Sequence, residues 1–196
     1  MSSLVILVTA VTQAVLLVAA AAGGWWWKVP WWHGLALPTA RTATQAVVMG
    51  LSSGALAAAV VISLTRRFPG LGAALGEVVI PFFQHLPPGT AAVIVSGSAV
   101  GEEIFFRGFL QPVVGVFPQA VIFGLLHYGF RRELLAYGVL AAVAGLWLGY
   151  LYAATGVLWT SLVAHAVYNV IDLLAIRYGL VGQPGRPGCG ASVRRG

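Results

Sequence analysis

The chain has 196 residues, of which 59% are hydrophobic and only 8% are charged, and its mean hydropathy is +0.90. Soluble domains are about half apolar and a quarter charged, so this composition excludes an ordinary soluble protein and indicates an integral membrane protein. The net charge of +6 comes from basic residues scattered at the ends of apolar segments, which favours membrane orientation over a nucleic-acid-binding surface. The single cysteine, Cys189, excludes a disulfide framework.

Apolar segments near the length of a spanning helix recur along the chain. The predicted fold is therefore an all-α polytopic transmembrane bundle with about six spans and one interfacial helix. The predicted spans are residues 4–22, 42–64, 90–110, 119–130, 134–155 and 158–176. Residues 71–83 are apolar but short and contain Glu77 and Pro81, which predicts an interfacial or re-entrant helix.

The connections and termini carry further signals. Five tryptophans between Trp25 and Trp32 predict an aromatic belt at the membrane interface. Helix breakers between residues 111 and 118 predict an irregular connection, which must dip into the bilayer if Glu102 and His127 are to meet. The predicted membrane domain covers residues 1–178, with a motif-bearing core at 90–176, and a disordered basic tail follows at 179–196.

Arginine pairs predict how the bundle is oriented. Arg66-Arg67, Arg131-Arg132 and the arginines of the tail can all lie on one side of the membrane. Cytoplasmic loops are enriched in Lys and Arg, so this side is predicted to be cytoplasmic. Both termini would then lie inside the cell.

Eight positions stand out as candidate parts of one buried site. They are Glu102, Glu103, Arg107, Phe123, His127, Ser161, His165 and Asn169. Ionisable groups at membrane depth are costly, and they normally pair with each other or take part in chemistry. Polar residues also hold membrane helices together. It is the weaker interpretation that Glu102, Glu103, His127 and His165 all serve only that purpose.

Helical spacing indicates a partner for most of these side chains. Glu103 and Arg107 are four residues apart, so they share a helix face and predict a structural ion pair. Glu102 is rotated by about 100° from Glu103, which leaves it free to face a cavity. A carboxylate beside a histidine can take a proton from water there. Phe123 and His127 are also four residues apart, so the phenylalanine can form a wall while the histidine points inward.

Ser161, His165 and Asn169 form a polar stripe on an apolar helix. Imidazole and carboxamide groups aimed at one point are what a developing oxyanion needs. Ser161 is predicted to bond to its own helix, since no GxSxG elbow supports a nucleophile. A metal site remains an alternative, in which Glu102, His127 and His165 would bind a divalent ion such as zinc, although no HExxH pattern is present.

In order, these residues form EExxxR, FxxxH and HxxxN on apolar helices, which resembles the CPBP family (CAAX protease and bacteriocin-processing, or Abi) of intramembrane endopeptidases. The resemblance implies that Glu102 and His127 activate water and that His165 and Asn169 stabilise the oxyanion. It implies that Glu103 and Arg107 shape the site. The family is often labelled metalloprotease, but its prenyl-protease members look like glutamate-dependent enzymes, so no cofactor is predicted.

The predicted function is therefore hydrolysis of a peptide bond near or within the bilayer by Glu/His-activated water. The expected partners are a membrane-associated peptide or protein, with a C-terminal or bacteriocin-like signal to be matured, and the lipid bilayer. The expected location is a bacterial inner membrane. A non-catalytic immunity factor or scaffold of the same fold is the main alternative. A proton-relay transporter is disfavoured because no internal repeat is evident.

Overall fold

The computed structural model of the protein describes residues 2–36, 39–130 and 132–181. Over these residues it is all-helical and contains no strand, which confirms the predicted fold class. The seven helices are α1 (Ser2–Trp27), α2 (Ala40–Arg67), α3 (Pro69–Phe83), α4 (Pro88–Val114), α5 (Val116–Tyr128), α6 (Leu135–Thr155) and α7 (Leu158–Arg177). Short 3-10 turns at His33–Leu35 and Arg132–Leu134 lie between them.

Five of these helices, α1, α2, α4, α6 and α7, are long and apolar enough to cross a bilayer. The protein is therefore a multi-pass membrane protein. Helices α3 and α5 have 15 and 13 residues. They rise only about 22 Å and 20 Å, less than the ~30 Å hydrocarbon core. The predicted span at 119–130 is thus the short helix α5, and the predicted interfacial segment at 71–83 is α3.

Helix α4 is longer than its sequence pattern predicts. The expected break at Gln111-Pro112 is wrong, because the helix continues to Val114. Its residues Ile104–Leu110 form π-helical turns. In a regular α-helix, the ring of Pro112 would clash with a backbone carbonyl one turn earlier. The wider π-helical turns that precede Pro112 make room for this ring. The chain reverses only at Gly115, whose φ of 89° is in the left-handed region that favours glycine.

Close contacts at small residues hold the long helices together. A Cβ added to Gly54 of α2 would lie 2.5 Å from the Ala164 carbonyl oxygen of α7. A Cβ added to Gly124 of α5 would lie 2.7 Å from the Gly138 carbonyl oxygen of α6. Such backbone approach is typical of membrane helices, which gain packing energy where side chains are small.

The two ends of the bundle differ in chemistry. At one end, Arg177 donates to the carbonyls of Phe83 (3.2 Å) and Leu86 (2.8 Å), and Arg66 donates to the Leu180 carbonyl. The exposed tryptophans Trp25–Trp27 end α1 at the other end. The predicted aromatic belt and basic face thus lie at opposite ends. Arg131, Cys189 and the predicted tail from residue 182 onward lie outside the described residues.

Candidate active site

An ion pair between Glu103 and Arg107 lies at the centre of the site. Both side chains are fully buried, and Arg107 Nη1 donates to Glu103 Oε1 at 2.8 Å. Arg107 Nη2 also donates to the Gly145 carbonyl of α6 at 3.2 Å. The guanidinium carbon lies 4.9 Å from the centre of the Phe123 ring. The predicted ion pair is confirmed, and it also ties α4 to α5 and α6.

His165 lies between the two glutamates. Its Nδ1 is 2.8 Å from Glu103 Oε1, and its Nε2 is 3.9 Å from Glu102 Oε2. The Glu103 carboxylate, already paired with Arg107, can only accept a hydrogen bond, so His165 Nδ1 carries the hydrogen. Glu103 therefore fixes the ring of His165, and Nε2 is the atom turned towards Glu102.

His127 is held by its own helix one turn away from Phe123. Its Nδ1 lies 2.8 Å from the Phe123 carbonyl oxygen, which can only accept, so the Nδ1–H donates. In a neutral ring, Nε2 then keeps its lone pair. The centre of the Phe123 ring lies 4.3 Å from that of His127, with the two rings tilted by 41°, and 6.1 Å from that of His165, in an edge-on arrangement. Phe123 is thus a shared wall for both histidines.

Asn169 and Ser161 have different surroundings although both belong to α7. Asn169 Nδ2 donates to the Val95 carbonyl of α4 at 3.2 Å, which leaves its second amide hydrogen free. Ser161 is buried and donates to the Leu158 carbonyl at 3.1 Å, as predicted for a residue that bonds to its own helix. The polar stripe predicted on α7 therefore reaches the site through His165 and Asn169, and the Ser161 side chain also interacts with the Glu103 carboxylate.

One cavity of about 200 Å³ brings the candidate residues together, and we call it the Glu102 cavity. Its lining includes the four predicted catalytic residues and Phe123: Glu102, Phe123, His127, His165 and Asn169. Glu102 Oε2 is buried and has no hydrogen-bond partner among the described residues. An unsatisfied carboxylate oxygen that faces a cavity is well placed to bind a water molecule or a substrate group.

The turn between α4 and α5 accounts for the approach of Glu102 and His127 to one cavity. Glu102 precedes the turn at Gly115 by 13 residues and His127 follows it by 12. At ~1.5 Å per residue both lie about 18–20 Å from the turn. The irregular connection predicted for residues 111–118 is not needed, because two helical arms of nearly equal length bring these residues to one cavity.

Sequence reasoning missed Gln111 and Gln119, which build the site, and Tyr137, which lines it. Gln119 donates to the Gly145 carbonyl and Gln111 donates to the Gly149 carbonyl, both at 3.0 Å. These buried amides fix α5 and α4 on one face of α6. Glutamines inside apolar segments were a visible signal for them. Tyr137, whose ring lies 5.5 Å from His127, carried no such signal.

The donor set does not fit a metal site. Within the part of the chain that the structure describes, no three His, Cys, Asp or Glu side chains are arranged to hold a metal ion. The alternative ligand set of Glu102, His127 and His165 is therefore not supported by the geometry.

Comparison with protein families identifies the region that carries the site. Residues 83–171 match the model of the Rce1-like family, described as "Type II CAAX prenyl endopeptidase Rce1-like". Residues 83–171 form a domain of this family. The Rce1-like domain includes all three motifs and most of α4 to α7, whereas α1 and α2 lie outside it.

A curated relative is similar over part of its length. The "Uncharacterized protein YpbD" of Bacillus subtilis (strain 168) is 32% identical over 80 residues, which cover 41% of this chain. The matched part spans 42% of the length of that relative. No solved structure matches the chain.

Proposed function

We propose that the protein is an intramembrane endopeptidase that hydrolyses a peptide bond of a membrane-associated peptide or protein. The observation that carries this proposal is the convergence of Glu102, His127, His165 and Asn169 on one cavity at membrane depth. Membership of the Rce1-like family for residues 83–171 supports the same reaction class. The substrate class, a short C-terminal or bacteriocin-like signal, is part of the proposal.

The attacking group in this mechanism is a water molecule between Glu102 and His127. Glu102 Oε2 lacks a partner, and His127 Nε2 keeps its lone pair because Nδ1 is bonded to the Phe123 carbonyl. Both can therefore accept a hydrogen bond from the same water. As the water oxygen attacks the scissile carbonyl carbon, Glu102 takes its proton. The carboxylic acid then returns that proton to the leaving amine nitrogen, and the C–N bond breaks.

His165 and Asn169 supply the hydrogen bonds for the oxyanion. Because His165 Nδ1–H donates to Glu103, its Nε2 can donate only when the ring is an imidazolium. Such a cation would balance the charges of the cluster, with Glu102 and Glu103 negative and Arg107 and His165 positive. The free amide hydrogen of Asn169 supplies a second donor. Preorganised donors of this kind stabilise the charge that develops on the carbonyl oxygen.

The reaction is proposed to need no metal ion, since no three His, Cys, Asp or Glu side chains among the described residues are arranged to hold one. The end of the bundle with Arg66, Arg67 and Arg177 is proposed to face the cytoplasm, in keeping with the enrichment of basic residues on that side. Fusions of a periplasmic reporter enzyme and a cytoplasmic fluorescent protein to the α2–α3 connection would test the orientation.

The deciding experiment compares protein termini in membranes of cells that express wild type or Glu102→Gln at matched levels. New N- and C-termini that appear only with wild type would support proteolysis and would also name the substrate. Identical termini, together with a Glu102→Gln variant that keeps the biological effect of the wild type, would overturn the proposal in favour of an immunity or scaffold role.

A further inference from the structure

A second cavity adjoins the Glu102 cavity and opens between α1 and α3. It has a volume of about 390 Å³ and is lined by one face of α1, by residues 81–83 of α3, and by Ser98 and Glu102 of α4. The lining residues of α1 are Leu4, Val5, Val8, Thr9, Thr12 and Gln13. We call it the α1 groove. Glu102, Ser98 and Phe83 line both spaces, so the groove leads directly to the catalytic carboxylate. Helix α1 lies outside the Rce1-like domain, and the motifs therefore assign no role to it.

The wall that α1 contributes is not purely apolar. Thr9, Thr12 and Gln13 interrupt a hydrophobic helix and line the groove. The two threonine hydroxyls make no hydrogen bond to other described residues. Gln13 Oε1 accepts the Gly101 backbone N–H at 2.8 Å, which fixes this side chain beside Glu102 and leaves its amide hydrogens available. Polar groups at membrane depth are costly unless they are hydrogen-bonded, and an occupant of the groove would supply partners for these side chains.

A hydrocarbon chain carries no hydrogen-bonding groups that could pair with these side chains. A peptide backbone carries an N–H donor and a C=O acceptor at each residue, and both need hydrogen bonds within a bilayer. The spacing also suits an extended chain. Thr9 and Gln13 are about 6 Å apart along α1. An extended chain turns a backbone polar group to the same side every second residue, about 6.7 Å. Residues 4–13 rise ~13 Å, enough for about four extended residues.

We propose that the α1 groove binds about four residues of the substrate in extended form, on one side of the scissile bond, with Thr9, Thr12 and Gln13 bonded to its backbone. This subsite rests on the proposed endopeptidase function. Because Gln13 contacts Gly101 beside Glu102, the bound residues run from the scissile bond towards the start of α1.

Photo-crosslinking tests occupancy without requiring catalysis. Benzoyl-phenylalanine would replace Leu4 in the groove or Leu7 outside it, in a Glu102→Gln background, since these leucines are similarly exposed at 62% and 59%. The probe is a synthetic Leu/Ala transmembrane peptide with a central Gly-Pro break, in phosphatidylethanolamine/phosphatidylglycerol vesicles. We expect peptide adducts at position 4 in clear excess over position 7. Adding Thr9→Val and Thr12→Val should lower that yield at least about fivefold, because two hydrogen bonds are lost.

Hydrolysis of the same peptide provides the second readout, with a bulky residue placed in or outside the groove. Val8 lines the groove and Val11 does not, although they are 51% and 53% exposed. Val8→Trp should raise KM at least about tenfold while Val11→Trp should leave it unchanged. Lipid adducts at position 4 together with an unchanged KM in Val8→Trp would show a hydrocarbon occupant and overturn the inference.

The two readouts separate the groove from the chemistry. A peptide adduct at position 4 without hydrolysis by the wild type would support the groove and count against the endopeptidase function. Hydrolysis by the wild type with equal adducts at positions 4 and 7 would support the endopeptidase function and overturn the groove. Equal lipid adducts at both positions without hydrolysis would overturn both.

Discussion

Replacing Arg107 by methionine should destabilise the protein strongly, because it leaves the Glu103 carboxylate buried without its counter-charge. Both side chains are completely buried, and Arg107 donates to Glu103 at 2.8 Å and to the Gly145 carbonyl at 3.2 Å. Removing one partner of a buried ion pair costs about 3–5 kcal/mol. We expect a loss nearer 3 kcal/mol, since His165 still donates to the same carboxylate oxygen.

A double variant distinguishes this loss from a simple loss of packing. Glu103→Gln combined with Arg107→Met removes both charges while preserving side-chain volume and an acceptor for His165. It should recover about 2 kcal/mol of the single-variant loss, because no unpaired charge remains buried. The free energy of unfolding can be measured by titration with sodium dodecyl sulfate in mixed micelles, followed by tryptophan fluorescence. The reasoning fails if Arg107→Met costs less than about 1 kcal/mol, or if the double variant is the less stable of the two.

Four further outcomes are expected. Glu102→Gln should lower hydrolysis about 10²–10⁴-fold without changing the free energy of unfolding, and an active variant would remove its role as base. Asn169→Ala should lower kcat about 10²–10³-fold at nearly constant KM, whereas a pure KM effect would contradict an oxyanion contact. Gly149→Ala places a Cβ 2.7 Å from Gln119 Nε2 and should cost about 1–3 kcal/mol, while Gly97→Ala faces open space and should cost nothing. A chelator should leave the hydrolysis rate unchanged, and inhibition reversed by added zinc would contradict a metal-free reaction.

Sequence patterns predicted the local parts of this protein well. Long apolar segments specify membrane helices whatever their neighbours are, because every backbone polar group must be bonded within its own helix. The same holds for the Glu103–Arg107 pair and for Ser161, whose partners lie three or four residues away on one helix. Spacing along a helix is a property of the sequence itself.

Contacts between distant segments were beyond such patterns. The break expected at Gln111-Pro112 did not occur, because π-helical turns in α4 accommodate the proline. Gln111 and Gln119 donate to the carbonyls of two glycines in α6, which lack a side chain that would block the approach. Helical spacing within α4 or α5 does not specify which carbonyls of α6 are accessible. The α1 groove likewise depends on the distance between helices that lie far apart in the chain.

By itself, the sequence determined that this is an all-helical membrane protein and which polar side chains share each helix face, since both follow from hydrophobicity and helical period. Only the tertiary structure decided that Glu102, His127 and His165 line one cavity, that His165 is fixed by Glu103, and that α1 places polar side chains beside the Glu102 carboxylate. These relations depend on how separate helices cross and on how far they are shifted along one another. Packing at small residues and the turn at Gly115 establish both.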